Sequence, residues 1–132
     1  MLQEKVVLIV DDDITLLEMY IERIRAEGAI VVEAHDGEEA LEKARETKPS
    51  IILLDIMMPK INGFEVLKAL KSDPETADVP VIILSALSDE GKRKQGLQLG
   101  ASDYIVKSET LPIDVIEKMK KVISSEDLQS GV

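Results

Sequence analysis

The chain has 132 residues, a length typical of one domain, and 45% of them are hydrophobic, enough for one buried core. Its formal net charge of −10 argues against direct binding to nucleic acids or anionic membranes. The chain has no cysteine, which excludes disulfides and thiolate metal sites. It also shows neither a signal-peptide pattern nor an apolar run of membrane-spanning length. We therefore expect a soluble, cytoplasmic protein.

Five short apolar segments are predicted to be β-strands. They are rich in β-branched residues and end at polar or turn-forming residues. Most of them lack alternation of polar and apolar residues, which is typical of strands buried on both faces of a parallel sheet. In chain order they are residues 6–10, 30–32, 51–54, 81–84 and 104–106.

Segments with helical spacing of apolar residues separate the strands. The first helix is predicted to end at Gly28, because glycine is favoured just after a helix. Asp36 is a predicted N-cap of the second helix, and Asn62 with Glu65 resembles a capping box at the start of the third. The predicted inner faces consist of Leu17, Ile21, Ile24, Ala40, Leu41, Ala44, Phe64, Leu67 and Leu70.

The fourth and fifth helices differ in their apolar content. The fourth is predicted to begin near Ser88 and end before Gly100, with only Leu97 and Leu99 clearly apolar, so we expect weak packing. Pro112 opens the fifth helix, because proline is favoured in a first turn. Its predicted apolar stripe consists of Val115, Ile116, Met119, Val122 and Ile123.

Strict alternation of strands and helices predicts a three-layer α/β domain with right-handed crossovers. We expect this domain to occupy residues 1–124. Residues 125–132 are predicted to be a flexible C-terminal tail, and no output domain is expected.

Polar side chains follow four of the predicted strands at their carboxyl ends, where the functional crevice of an open α/β sheet lies. Asp11 and Asp12 follow the first strand, and Asp55 follows the third. Ser85 follows the fourth strand and Lys107 the fifth. If these strands are neighbours, three carboxylates, a hydroxyl and an ammonium group converge at one edge of the sheet.

Three carboxylates at such short range would repel one another unless a cation neutralises them. Oxygen ligands without a dedicated cage favour Mg²⁺, with Mn²⁺ as an alternative. The metal and Lys107 would together balance the three carboxylates, which prepares the pocket for an incoming phosphoryl group. The pattern therefore indicates phosphoryl transfer, with Asp55 as the nucleophile.

Four motifs resemble the receiver domains of two-component response regulators, especially single-domain regulators of the chemotaxis type. They are Ile9-Val10-Asp11-Asp12-Asp13, Leu53-Leu54-Asp55-Ile56-Met57-Met58-Pro59 with Asn62-Gly63, Ser85-Ala86, and Gly100-Ala101-Ser102-Asp103-Tyr104-Ile105-Val106-Lys107. Their order along the chain also matches the family. The resemblance implies a flavodoxin-like (βα)5 fold with a parallel sheet of strand order 2-1-3-4-5.

The resemblance also implies a metal site. In the family, the acidic pair after the first strand binds Mg²⁺, here Asp11 through water and Asp12 directly. The phosphoacceptor, which maps to Asp55, is a further ligand, and the backbone carbonyl of Met57 completes the protein contribution. No other cofactor is implied.

A second group of residues would respond to phosphorylation. By resemblance, Ser85 and Lys107 contact the phosphoryl group, and Tyr104 acts as an aromatic switch. Their movement would change the surface of the fourth helix, fifth strand and fifth helix. The family usually has a proline preceded by a cis peptide after the lysine, whereas this chain has Ser108, so the state of that peptide is left open.

The implied function is a phosphorylation-dependent signalling switch and not a metabolic enzyme. Its partners would be a sensor histidine kinase or phosphotransfer protein and a downstream protein, with the chain acting as a monomer or a phosphorylation-dependent dimer. One alternative is an aspartyl-phosphate-forming phosphatase of the haloacid dehalogenase type, but that family has a second aspartate where this chain has Met57. Another is a receiver fragment of a larger regulator or hybrid kinase.

Overall fold

The computed structural model describes residues 2–58, 61–86 and 88–130, apart from the side chains of residues 14, 16, 17 and 125–130. The strands are β1 (Val6–Val10), β2 (Ile30–Ala34), β3 (Ile51–Leu54), β4 (Val81–Ser85) and β5 (Asp103–Val106). The helices are α1 (Ile14–Ala26), α2 (Gly37–Thr47), α3 (Gly63–Ser72), α4 (Glu90–Gln98) and α5 (Pro112–Ser130). A short 3-10 helix, Lys107–Glu109, follows β5.

The five strands form one parallel sheet in the order β2-β1-β3-β4-β5. This confirms the predicted flavodoxin-like α/β class and its strand order. Val10 at the end of β1 pairs with Leu54 at the end of β3. The residues that follow these two strands therefore leave the sheet side by side.

Helices cover both faces of the sheet and create two hydrophobic clusters. On one face, α1 and α5 pack on the strands through Ile21, Ile24, Val115 and Met119. On the other face, α2 and α3 pack through alanine and leucine side chains, namely Ala40, Ala44, Leu67 and Leu70. All residues of β3 and β4 are buried, which explains why their sequences lack alternation.

Two helices begin at the predicted N-caps. The Asp36 carboxylate accepts a hydrogen bond from the Glu39 amide at 2.9 Å, and the Asn62 side-chain oxygen accepts one from the Glu65 amide at 3.0 Å. Each cap satisfies an amide that has no partner within the first turn of its helix. Gly28, at φ +90, lies just beyond α1 in a conformation that favours glycine.

Helix α4 is anchored weakly, as its sequence predicts. Gly96 is its only buried residue, and Leu97 is 39% exposed. A Cβ at Gly96 would collide with the end of the Ile83 side chain on β4, so glycine permits the close approach of helix and sheet. The helix therefore has few apolar contacts that would resist its displacement.

The C-terminal segment differs from the expected flexible tail. Helix α5 continues to Ser130, so most of segment 125–132 is helical, while residues 131 and 132 lie outside the described ranges. No proline or glycine occurs between Pro112 and Gly131, so nothing in the backbone chemistry ends the helix earlier. Within the described ranges, no helix is both long and apolar enough to serve as a membrane span.

Candidate functional site

Three aspartates meet at the carboxyl edge of the sheet, beside the ends of β1 and β3. Asp11, Asp12 and Asp55 each place a carboxylate oxygen within 4.8 Å of the other two. Asp11 and Asp55 are buried, at 5% and 6% exposure, whereas Asp12 is exposed to solvent. The structure thus brings together the three carboxylates singled out in the sequence, with one of them accessible from outside.

Lys107 reaches these carboxylates from the far side of β4. Its Nζ lies 2.7 Å from Asp11 Oδ2 and 3.6 Å from Asp55 Oδ2. Burial alone would lower the pKa of Lys107, but its hydrogen bond to Asp11 and the charges of Asp55 and Asp11 raise the pKa overall. The ammonium group is therefore charged at neutral pH and links the two buried carboxylates.

Backbone amides hold the second oxygen of each buried carboxylate. The Asp13 amide donates to Asp11 Oδ1 at 2.9 Å, and the Met57 amide donates to Asp55 Oδ1 at 3.1 Å. Both donors lie two residues after the aspartate they bind, so each loop orients its own carboxylate. With Lys107 near the other oxygens, both side chains are fixed from two directions.

The electrostatic environment of Asp55 is unfavourable to its charge. Burial raises the pKa of Asp55 from 3.8 to about 6, opposed by the Met57 hydrogen bond and the Lys107 charge and reinforced by Asp11 and Asp12. Three carboxylates and one ammonium leave two negative charges uncompensated at neutral pH. Clustered hard oxygen donors with this deficit fit a divalent cation such as Mg²⁺.

Residues 7–120 match the family model of the response regulator receiver domain. The chain belongs to this family. It is 43% identical over 121 residues to response regulator PleD of Caulobacter vibrioides, covering 89% of this chain and 25% of PleD. It is 39% identical over 127 residues to the Bacillus subtilis alkaline phosphatase synthesis regulatory protein PhoP, covering 94% and 50%. The chain therefore spans between a quarter and half the length of these relatives.

Solved receiver domains have the same fold. The CheY-like receiver domain protein of Methanospirillum hungatei superimposes with a TM-score of 0.89 at 27% identity, covering 96% of this chain and 99% of that one. A chain from the CheX-CheY-BeF3-Mg complex of Borrelia burgdorferi gives 0.83 at 32% identity, covering 91% and 90%. Receiver domains are signalling switches, and family membership disfavours the phosphatase alternative.

Ser85 and Lys107 occupy the same edge of the receiver domain. Ser85 is the last residue of β4, is fully buried and pairs in register with Val106, the residue before Lys107. No peptide bond is cis in the parts of the chain that the structure describes, so the peptide before Ser108 is trans. The hydroxyl-bearing residue and the lysine therefore leave adjacent strands at the same level of the sheet.

Tyr104 is buried on β5 and lies against α4. Arg93 on α4 donates a hydrogen bond from Nη1 to the Tyr104 carbonyl oxygen at 3.2 Å. Sequence reasoning missed Arg93, because an arginine in a polar helix has the pattern of an ordinary solvent-exposed residue. It missed the Asp13 and Met57 amides for a similar reason, since every residue except proline carries a backbone amide and no side-chain pattern reveals which amide binds a carboxylate.

The raised pKa of Asp55 predicts a pH-dependent effect on stability. Without metal, the folded state holds the Asp55 proton more tightly than the unfolded chain, so ionisation destabilises the fold as pH rises through about 6. We expect Asp55→Asn to raise the free energy of unfolding by up to about 3 kcal/mol at pH 7.5 and far less at pH 4. Urea unfolding in the presence of EDTA measures the free energy of unfolding at each pH. An equal gain at pH 7.5 and pH 4 would contradict a destabilising Asp55 charge.

Proposed function

We propose that this receiver domain accepts a phosphoryl group on Asp55 in a Mg²⁺-dependent reaction and thereby switches its α4-β5-α5 surface. The observation that carries the proposal is the buried Asp55 carboxylate, 3.6 Å from the Lys107 ammonium and grouped with Asp11 and Asp12. The proposed donor is a phosphohistidine on a sensor histidine kinase or phosphotransfer protein, or a small acyl phosphate. The related Borrelia burgdorferi chain comes from a complex that contains BeF3 and Mg²⁺, which supports a Mg²⁺-dependent reaction of this chain.

The reaction forms an acyl phosphate. An oxygen of the ionised Asp55 carboxylate attacks phosphorus as the phosphorus–nitrogen bond of phosphohistidine breaks. The leaving imidazole nitrogen keeps the bonding electron pair and takes a proton from solvent. Because Asp55 has a pKa of about 6 in the metal-free protein, it is already mostly ionised at neutral pH and needs no general base.

The remaining site residues position and neutralise charge. We propose that Asp12 and Asp55 hold Mg²⁺ directly, Asp11 through water, and Met57 through its backbone carbonyl. The ion would offset carboxylate charge and stabilise the negative charge of the transferred group. Both oxygens of Asp11 already accept hydrogen bonds, from Lys107 and from the Asp13 amide, which favours an indirect role for Asp11.

The switch follows from the new negative charge. In this proposal, the phosphoryl oxygens attract Lys107 and accept a hydrogen bond from the Ser85 hydroxyl, which draws the β4–α4 loop inward. Tyr104, which is already buried on β5, would then shift within the core to fill the vacated space. The Arg93 hydrogen bond to the Tyr104 carbonyl holds α4 on β5 before this movement and would have to break for α4 to be displaced. A downstream partner, or a second copy of the chain, would bind the altered α4-β5-α5 surface.

The acceptor assignment is tested by labelling with acetyl phosphate and Mg²⁺. We expect the wild-type protein to gain the mass of one phosphoryl group and Asp55→Asn to remain unlabelled, because the amide cannot form the acyl phosphate. Asp78→Asn, which changes an exposed aspartate in the loop between α3 and β4, is the control and should be labelled normally. Full labelling of Asp55→Asn would refute the assignment.

The metal assignment is tested by calorimetric titration of Mg²⁺. We expect Asp12→Asn to weaken Mg²⁺ binding about tenfold or more, because a direct carboxylate ligand is lost. Asp13→Asn removes the same charge one residue away but keeps the backbone amide that holds Asp11, so its affinity should change little. If both variants weaken binding equally, only the overall charge matters and direct coordination by Asp12 is wrong.

The role of Arg93 is tested by beryllofluoride binding. Arg93→Ala removes a hydrogen bond that holds α4 on β5, and a typical net bond of about 1 kcal/mol corresponds to about a fivefold shift toward the switched state. We therefore expect tighter binding of beryllofluoride in Arg93→Ala. Lys94→Ala removes the neighbouring exposed charge and should bind as the wild type does. Unchanged or weaker binding in Arg93→Ala would contradict the proposal that this hydrogen bond opposes the switched state.

A further inference from the structure

Helix α3 begins in direct contact with the peptide group that follows Asp55. A Cβ placed on Gly63 would overlap the Asp55 carbonyl oxygen and the Ile56 Cα, and would lie 3.0 Å from the Asp55 carbonyl carbon. The Gly63 amide donates a hydrogen bond to the Ile56 carbonyl at 3.0 Å. The first turn of α3 therefore packs on the peptide that follows Asp55 without any side chain between them.

This contact has little freedom to relax. The atoms that face Gly63 belong to the backbone, so no flexible side chain can rotate away from an added methyl group. The peptide between Asp55 and Ile56, here called the acceptor peptide, has little room to move, because both residues are buried. The Asp55 amide also donates a hydrogen bond to the Val10 carbonyl at 3.0 Å, which ties this residue to β1. A side chain at position 63 must displace either the peptide or the helix.

We propose that Gly63 is a positioning residue for phosphoryl transfer, which sets the place of the Asp55 carboxylate by bringing α3 into backbone contact with the peptide that carries it. This rests on the proposed function of Asp55. The same peptide leads directly to the Met57 amide that holds Asp55 Oδ1 at 3.1 Å. A displacement of the peptide therefore changes the orientation of the carboxylate relative to Asp11, Asp12 and Lys107.

Helix α2 begins in the same way and supplies a control through its N-cap, but not through its first-turn glycine. It has an N-cap, Asp36, followed by a buried first-turn glycine, Gly37, just as α3 has Asn62 followed by Gly63. A Cβ on Gly37 would lie 2.8 Å from Ile61 Cβ and 2.9 Å from Val66 Cγ2. Ile61 precedes α3 and Val66 lies in its first turn, so Gly37→Ala would press on the same turn as Gly63→Ala, whereas Asp36→Ala adds no atoms there.

The experiment compares Gly63→Ala with Asp36→Ala in the full chain, under conditions where circular dichroism shows both to be folded. The labelling rate is measured against acetyl phosphate concentration at saturating Mg²⁺. For Gly63→Ala we expect the limiting rate to fall about tenfold or more, since displaced reacting groups lose rate steeply. The half-saturating donor concentration should change little, and the Met57 amide proton should shift in NMR spectra. Asp36→Ala, which loosens the first turn of α2 without adding atoms beside α3, should keep the wild-type limiting rate and Met57 shift.

A second pair of variants covers the case in which Gly63→Ala does not fold. Asn62→Ala removes the side chain that caps α3 through the Glu65 amide, and Asp36→Ala removes the equivalent cap of α2 through the Glu39 amide. Both changes loosen a first helical turn without adding atoms. We expect Asn62→Ala to slow labelling severalfold and Asp36→Ala to leave the rate unchanged.

The outcomes separate this proposal from the proposed function. If Asp55→Asn is unlabelled but Gly63→Ala, or Asn62→Ala where the former does not fold, is labelled at the wild-type rate, positioning by α3 is wrong and the acceptor assignment stands. Equal slowing in the α2 and α3 variants would likewise overturn positioning, because it would reflect general destabilisation. If Asp55→Asn is itself labelled, the proposed function fails first.

Discussion

The crowding of three carboxylates beside one partly buried ammonium is the constraint on which the rest of this receiver domain depends. Asp11 and Asp55 come together because β1 and β3 are adjacent parallel strands that end in register. Lys107 reaches both because β5 ends at the same edge, beyond β4. Like charges at this distance repel one another and would push the two loops apart. The sheet, which is covered by helices on both faces, resists that separation. The fold therefore holds a charge arrangement that favours a divalent cation, which in the proposed function would offset the repulsion of an incoming phosphoryl group.

The domain has a tightly packed side around Asp55 and a weakly anchored side at α4, to which the proposed function assigns acceptance of the phosphoryl group and the response to it. Asp55 extends from a fully buried strand, and the first turn of α3 contacts its peptide through Gly63. Helix α4 on the other side buries only a glycine and is tied to β5 through Arg93. Chemistry requires fixed reacting groups, whereas a switch requires an element with two arrangements of similar energy. The distribution of apolar residues in the sequence provides both within one sheet.

The sequence predicts the features that depend on local patterns. Buried strands, the caps Asp36 and Asn62, and the strand-end positions of Asp11, Asp12 and Asp55 follow from residue type and spacing. Contacts made by backbone atoms, or by charged side chains in exposed helices, cannot be predicted in this way. The residues that make them have the same sequence pattern as ordinary surface residues. Arg93 and the tight packing of Gly63 belong to this group. The extension of α5 to Ser130 was also missed, because polar residues in the last turns resemble a tail although nothing there interrupts a helix.

Lys107 connects the chemical site to the surface because of its place in the chain. Its ammonium lies closer to Asp11 than to Asp55, at 2.7 Å against 3.6 Å, so a phosphoryl group on Asp55 would compete with Asp11 for it. Lys107 is also the first residue of the short helix that leads from β5 toward α5. A movement of its side chain toward Asp55 therefore pulls on the segment between two elements of the proposed signalling surface. In the proposed mechanism, the residue that would stabilise the phosphorylated state would also transmit it.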